Sequence, residues 1–462
     1  MRGLIRHAGR IPAPLIYAGA MAWTKGLAML SVPLFTRQLL PAEFGRLELL
    51  SSAAEIGGLI AGAGLVDTLY RFASGADGRR HAARVMGLAL LIAVVGMVLV
   101  VLGAPFVAAA MPLATSPLEI MLLGTAVVLE GVIGVPLGWL RMHGKAGAFG
   151  MLTAGRATLQ VGLGCALVLG GFGVSGVLAA GTVAGLLLAG LLTARQGLST
   201  GIATDRRESL RLLAYGLPLV GGGLAAFVLG TADRWWLAGV VTASALGVYG
   251  LAAKIAAIVS LLAQPFELWW YPRRLTVLAG PDGRVRSSAV VMAGLAMLML
   301  AAGTVSLSAP LLVRLLAPAA YAGAVAMVPP LALAIGFQLA ASMANVGCYA
   351  RQTGAQALAI NLVGAAVALG GYAAFIPTMG VEGAILATVL SQGVRFVVFA
   401  LVSQRAAPLD WRFGALAVVL GTTVAAVWLG GIPGMLTLAA AAVLALGLRL
   451  VPLPGAARFG MA

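Results

Sequence analysis

The sequence predicts an all-α polytopic membrane protein of about fourteen transmembrane helices, and three observations predict it. Of its 462 residues, 61% are hydrophobic and 10% charged, with a mean hydropathy of +1.03, which leaves too little charge to solvate a water-soluble surface. The apolar residues gather in runs of roughly 20 or more, the length that crosses a hydrocarbon core. Lys and Arg collect in the short connections between alternate runs.

Taken in order, the first run covers 13–40 and follows Arg2, Arg6 and Arg10. It is longer than the apolar stretch of a signal peptide and has no cleavage site, so it reads as a retained span. Runs over 46–70, 85–110, 118–140, 148–171 and 173–194 follow, the last two divided by the Gly-rich stretch from Gly170 to Gly176. The longest hydrophilic stretch, Arg195 to Arg211, comes next. Beyond it lie runs over 212–239, 244–270, 288–313, 322–350, 355–376 and 380–403. Two more, over 413–430 and 433–450, are separated by the breakers of Gly430 to Gly434. The chain therefore divides into an N-terminal lobe (1–200), a C-terminal lobe (201–405) and two additional helices (406–462). Six spans per lobe is an even number, so both lobes keep one orientation in the bilayer.

Cytoplasmic connections retain positive charge during insertion, which sets the orientation. With the N-terminus inside, inside segments hold 22 of the 30 Lys and Arg, Arg273 and Arg274 among them, against Arg46 and Arg314 outside. Both termini are expected in the cytoplasm. The same distribution accounts for the formal charge of +16 without nucleic acid as a partner. Cys165 and Cys348 each sit alone in an apolar run and read as packing residues. His7, His81 and His143 form no HExxH arrangement, and no GxxxxGK[ST] stretch occurs, so neither a metal nor a cofactor is expected. Short external connections argue against a polytopic glycosyltransferase, and no catalytic residue is assigned.

Six basic residues fall within spans: Lys25, Arg37, Arg156, Arg234, Lys254 and Arg395. A charge at mid-bilayer costs at least about 2.5 kcal/mol, so these should face a protein interior or water. Glu48, Glu55, Asp67, Glu130, Asp233, Glu267 and Glu382 share these depths. Helical spacing places Thr153, Arg156 and Gln160 on one face, as it does Gln338, Ser342 and Asn345, and Thr388, Ser391 and Arg395. Such stripes suit a hydrated cavity. Lys25 and Lys254 lie near the middle of their runs, whereas Arg37, Arg234 and Arg395 are close enough to helix ends to snorkel instead. Glu48 and Glu55, seven apart, are candidates for cation or proton coupling with Asp67, or for bonding by neighbouring Ser and Thr. Pro33 and Pro218 permit bends in the leading helix of each lobe.

Three segments carry a family resemblance. SVPLFTRQLLPAEFGRLELLSS with GAGLVDTLYRF, over 31–72, resembles the opening helix pair of the polysaccharide and oligosaccharidyl-lipid flippases of the multidrug/oligosaccharidyl-lipid/polysaccharide (MOP) exporter superfamily. The stretch from Tyr215 through Asp233, Arg234, Gly247 and Tyr249 is similar to the seventh and eighth helices of that family. YAGAVAMVPPLALA from Tyr321, with NLVGAAVALGGYAAFIPTMGVEGAILATVLSQ from Asn361, resembles its later helices and their Ile-Pro-x-x-Gly-x-x-Gly-Ala turn.

The resemblance implies two six-helix lobes forming a V around a cationic cavity, with two further helices. It also implies transport, from the cytoplasmic to the outer leaflet of a bacterial inner membrane, of a polyprenyl-diphosphate-linked glycan for surface polysaccharide. Membrane lipid, a polysaccharide polymerase and glycosyltransferases are the partners implied. Lys25 and Arg37 match the basic leading helix, Arg234 the Asp-Arg motif and Lys254 a basic position of the eighth helix. With Arg156, Asp233 and Arg395 they form the candidate substrate set. The second helix departs from the lipid II flippase branch, offering Glu48 and Glu55 where that branch is basic. A multidrug antiporter and a lipid II flippase are the alternatives.

Overall fold

The computed structural model describes residues 12–349 and 355–450, which form helices joined by short turns. Arg2, Arg6, His7, Arg10, Arg351 and Arg458 lie outside the described residues. The helices are α1 (Ala13–Gln38), α2 (Pro41–Gly62), α3 (Leu65–Phe72), α4 (Gly78–Ala110), α5 (Pro117–Met142), α6 (Ala146–Leu169), α7 (Gly173–Thr200), α8 (Arg206–Gly230) and α9 (Asp233–Ala238). They continue as α10 (Ala243–Ala256), α11 (Ile258–Trp270), α12 (Arg274–Ala279), α13 (Gly283–Leu316), α14 (Ala324–Ala344), α15 (Ala355–Met379), α16 (Val381–Ala406), α17 (Phe413–Leu429) and α18 (Gly431–Gly447).

Among the described residues, 12 spans are long and apolar enough to cross a membrane, with α2 and α3 forming one crossing and α10 and α11 another. The last two runs become the shorter apolar helices α17 and α18, of 17 residues each. At about 1.5 Å per residue, each is roughly 25 Å long, slightly less than a typical hydrocarbon core. The chain forms two compact units, Met1–Phe227 and Val228–Ala462. The boundary falls near the end of α8, whose earlier turns pack into the first unit: Leu212 is buried in the core with Leu65, Leu69, Met86, Ile133 and Leu192.

Local chemistry fixes the helix starts. Ser116 Oγ accepts from Glu119 N at 3.2 Å while Glu119 Oε2 accepts from Ser116 N at 3.0 Å, closing a capping box ahead of Pro117. Glu43 caps the backbone of Leu40 in the same way at 2.9 Å, behind Pro41. Arg46, one of the two arginines expected outside, has a structural task. It lies 3.3 Å from the buried carboxylate of Glu119 and donates to the Ala114 carbonyl at 3.2 Å, tying α2 to the start of α5.

Helix breaks are as specific as the starts. Between α2 and α3, Ala63 and Gly64 take left-handed φ values of 44° and 65°. A side chain on Gly64 would collide with the Gly216 carbonyl of α8, and one on Gly216 with the Ala63 carbonyl, so two backbones touch at this point. The α15–α16 turn is built similarly. Gly380 has φ 58°, and Gly383 packs against the Phe375 carbonyl with no room for a Cβ. In α4 and α5, Gly96 receives Val128 and Gly124 receives Val100, the close approach that small residues permit between membrane helices. Cys348 is buried beside Phe399, and both thiols are free.

Arg274 is more than a loop charge. The charge pattern assigns it to a cytoplasmic connection, and the structure buries its side chain at the start of α12. Its Nη1 donates to Asn345 Oδ1 at 2.7 Å, and the guanidinium lies 3.8 Å from the Tyr271 ring and 4.4 Å from the Tyr349 ring. These aromatic faces compensate the lost hydration.

Candidate functional site

Within the first unit, α2, α5, α6 and α7 enclose a cavity of about 520 Å³ lined by Ser51, Glu55, Glu130, Arg156, Gln160 and Gly181, among others. Glu55, Glu130 and Arg156 each sit well inside their spans, Pro41–Phe72, Pro117–Met142 and Ala146–Leu169. Arg156 reaches Glu130 with both terminal nitrogens: Nη1 donates to Oε2 at 3.3 Å and Nη2 donates to Oε1. This fork geometry is the one arginine uses for carboxylate and phosphate alike. The lining thus carries two carboxylates and one guanidinium.

The remaining first-unit candidates are spread around this bundle. Lys25 is exposed in the middle of α1, two residues from Trp23, whose Nε1 donates to Thr158 Oγ1 at 3.0 Å and joins α1 to α6. An ammonium at that depth requires water or an anion, because lipid would leave it unsolvated. Arg37 is exposed in the last turn of α1, and Asp67 is exposed on α3. Glu48 and Glu55 are separated by the fold despite their spacing, since Glu48 is buried in protein while Glu55 lines the cavity.

In the second unit the Asp-Arg motif forms a buried cluster at the break between α8 and α9. Arg234 Nη1 donates to Asp233 Oδ1 at 3.2 Å, and Tyr249 Oη donates to Asp233 Oδ2. The carbonyls at the end of α8, which lack helical partners, are taken by side chains. Tyr372 Oη donates to Val228 O at 3.4 Å and Gln392 Nε2 to Leu229 O at 2.9 Å. Arg395 extends the network, donating from Nε to Asn361 Oδ1 at 2.8 Å and from Nη1 to Gln392 Oε1 at 3.2 Å. Thr388 and Ser391 return their hydroxyls to their own helix at 2.8 and 3.0 Å. Lys254 is half-buried in the Ala243–Trp270 span.

Two features of the site escape sequence reasoning. Glu130 stands among seven membrane-depth acids, and nothing in the sequence selects it as the partner of Arg156, 26 residues away. The second is an apolar groove of about 620 Å³ in the second unit, formed by α13, α14, α16 and α17, with Met299, Pro330, Phe337, Leu401 and Trp428 among its lining. Apolar residues facing a groove and facing lipid have the same sequence signature.

Membrane-length helices, broken beside buried charge clusters and enclosing a polar cavity, define a polytopic transporter fold. The family model for polysaccharide biosynthesis proteins matches residues 15–274, more than half of the chain, and the chain belongs to that family. Among solved structures, it is similar to a lipid II flippase, MurJ, in an inward closed conformation, at 10% identity and a TM-score of 0.76, over 94% of this chain and 99% of that one. It is also similar to an inward-facing multidrug resistance MATE family transporter of the MOP superfamily, at 17% identity and a TM-score of 0.61, over 88% and 99% of the two chains. A third likeness is to the MATE multidrug transporter DinF-BH in complex with R6G, at 18% identity and a TM-score of 0.55, over 85% and 93%. These likenesses show a shared fold. A comparison with curated protein sequences finds no match.

Proposed function

We propose that the protein moves a polyprenyl-diphosphate-linked oligosaccharide from the cytoplasmic to the outer leaflet of a bacterial inner membrane, for surface polysaccharide assembly. The observation that carries this reading is a set of basic residues at mid-span, Lys25 exposed and Arg156 on a cavity, in a member of the polysaccharide biosynthesis family. A diphosphate crossing roughly 30 Å of hydrocarbon needs such cations along its path. The apolar groove beside α17 suits the polyprenyl chain, because its Leu, Phe and Trp side chains give an isoprenoid packing contacts equivalent to those of lipid tails. The charge pattern supports cytoplasmic termini. A polysaccharide polymerase and glycosyltransferases are the partners this role requires.

Complementation tests the reading. In a strain lacking its own polysaccharide flippase, the wild-type chain restores polymer at the surface, and replacing both Lys25 and Lys254 by Ala reduces it at least several-fold. Full display by the double variant overturns the role of these lysines in transport. A second reading, a multidrug antiporter, draws on the two carboxylates of the first-unit cavity. Efflux of an organic cation that is abolished by Glu55→Gln would favour it. Lipid II is a less suitable cargo, since α2 presents Glu48 and Glu55 where that branch is basic.

A further inference from the structure

Arg156 is the one cation among the residues lining the first-unit cavity, and its fork is already occupied by Glu130. The Glu130 side chain is 42% exposed and that of Arg156 21%, so the carboxylate is the more accessible half of the pair. The cavity of about 520 Å³ leaves space for it to swing aside. Glu55 on α2 adds a second negative charge to the lining, Gln160 lies one turn beyond Arg156, and α7 contributes only Val177, Leu178 and Gly181. An incoming diphosphate thus meets a guanidinium that already has a bidentate oxyanion partner.

We propose that Glu130 is a built-in competitor of the cargo diphosphate for Arg156. The carboxylate holds the guanidinium while the cavity is empty, yields it to the phosphate oxygens of the cargo, and reclaims it as the cargo departs. A transport site must bind firmly enough to admit its cargo and loosely enough to release it. An arginine with an internal counter-ion meets both demands, because the hydrogen bonds the diphosphate makes to the two terminal nitrogens are offset by those that Glu130 gives up there. Excess stabilisation of the loaded state would slow the cycle, since binding energy that deepens a ground state does not speed the step that leaves it. Glu130 is therefore a specificity-setting residue: only an anion able to engage both nitrogens displaces it. The inference rests on the lipid-linked diphosphate reading above.

The test uses the full-length protein in nanodiscs with farnesyl diphosphate as probe and farnesol as its uncharged control, alongside polymer display in the complemented strain. Glu130→Gln is expected to bind farnesyl diphosphate roughly tenfold more tightly, the scale of one charge-assisted hydrogen bond, while display falls. The double replacement of Glu130 and Arg156 by Gln should bind no better than Arg156→Gln alone, since the gain runs through the guanidinium. Glu130→Asp, whose shorter carboxylate holds the fork less well, should lie between wild type and Glu130→Gln; it carries the test if the glutamine variant does not yield monodisperse protein. Binding that is unchanged or weakened in the Glu130 variants, or a gain that survives loss of Arg156, overturns the competitor role and leaves the flippase reading standing. A wild-type protein that does not distinguish farnesyl diphosphate from farnesol overturns both.

Discussion

Asp233 shows what a charged residue within a span requires. Its carboxylate receives the Arg234 guanidinium, the Arg234 backbone N–H at 2.9 Å and the Tyr249 hydroxyl, so its capacity is met inside the protein. Tyr249→Phe removes one donor and leaves the carboxylate oxygen short of a partner, a loss of about 1–3 kcal/mol. Thermal unfolding in detergent should show a lowered midpoint, and an unchanged midpoint would contradict this role. The presence of such charges is legible in the sequence, because any Lys, Arg, Asp or Glu within an apolar run stands out. Their partners are legible only where they are sequence neighbours, as with Asp233 and Arg234. The pairing of Glu130 with Arg156 depends on how α5 and α6 pack, which hydropathy does not encode. The partners of Arg274 escape for the same reason, since Asn345 and Tyr349 are brought to it only by the fold.

Among the elements, backbone geometry explains motifs that resemblance only recognises. Pro41 starts α2 with Glu43 as its cap, and Gly380 and Gly383 make the α15–α16 turn. Gly247-x-Tyr249 delivers a hydroxyl to Asp233. These segments specify the fold, whereas Glu130 and Arg156 lie outside all three. The break at Ala63 and Gly64 is not legible, since the apolar run passes through it without a proline or a charge. Gly64→Ala should destabilise the protein by at least about 1 kcal/mol from left-handed strain alone, with contact against Gly216 adding to it. Gly155→Ala on α6 has open space around the new methyl and should be neutral or stabilising by up to roughly 1 kcal/mol. Unfolding midpoints of the two variants check the contrast, and equal effects would refute it.

For the whole molecule, the bilayer makes the sequence readable: spans must be apolar, long and internally hydrogen-bonded, so their number and order survive where identity does not. A TM-score of 0.76 at 10% identity expresses that constraint. The apolar groove shows its limit, since lipid-facing and groove-facing surfaces share one composition. Gly336 lines this groove and has no heavy atom near the position of a Cβ, so Gly336→Trp fills the groove without disturbing the backbone. Polymer display in the complemented strain should fall several-fold while protein level in the membrane is unchanged. Undiminished display would show that the groove is not on the route of the cargo.

The caps on α8 also have a place in time. Val228 and Leu229 emerge from the ribosome well before their partners, for Tyr372 follows 144 residues after the first and Gln392 163 residues after the second. At synthesis speeds of about 5–20 residues per second, that interval is roughly seven to thirty-three seconds. Throughout it the end of α8 must find other donors, in water, headgroups or the insertion machinery. The seventh crossing is therefore completed late in biogenesis, when the fifteenth and sixteenth helices arrive to close it.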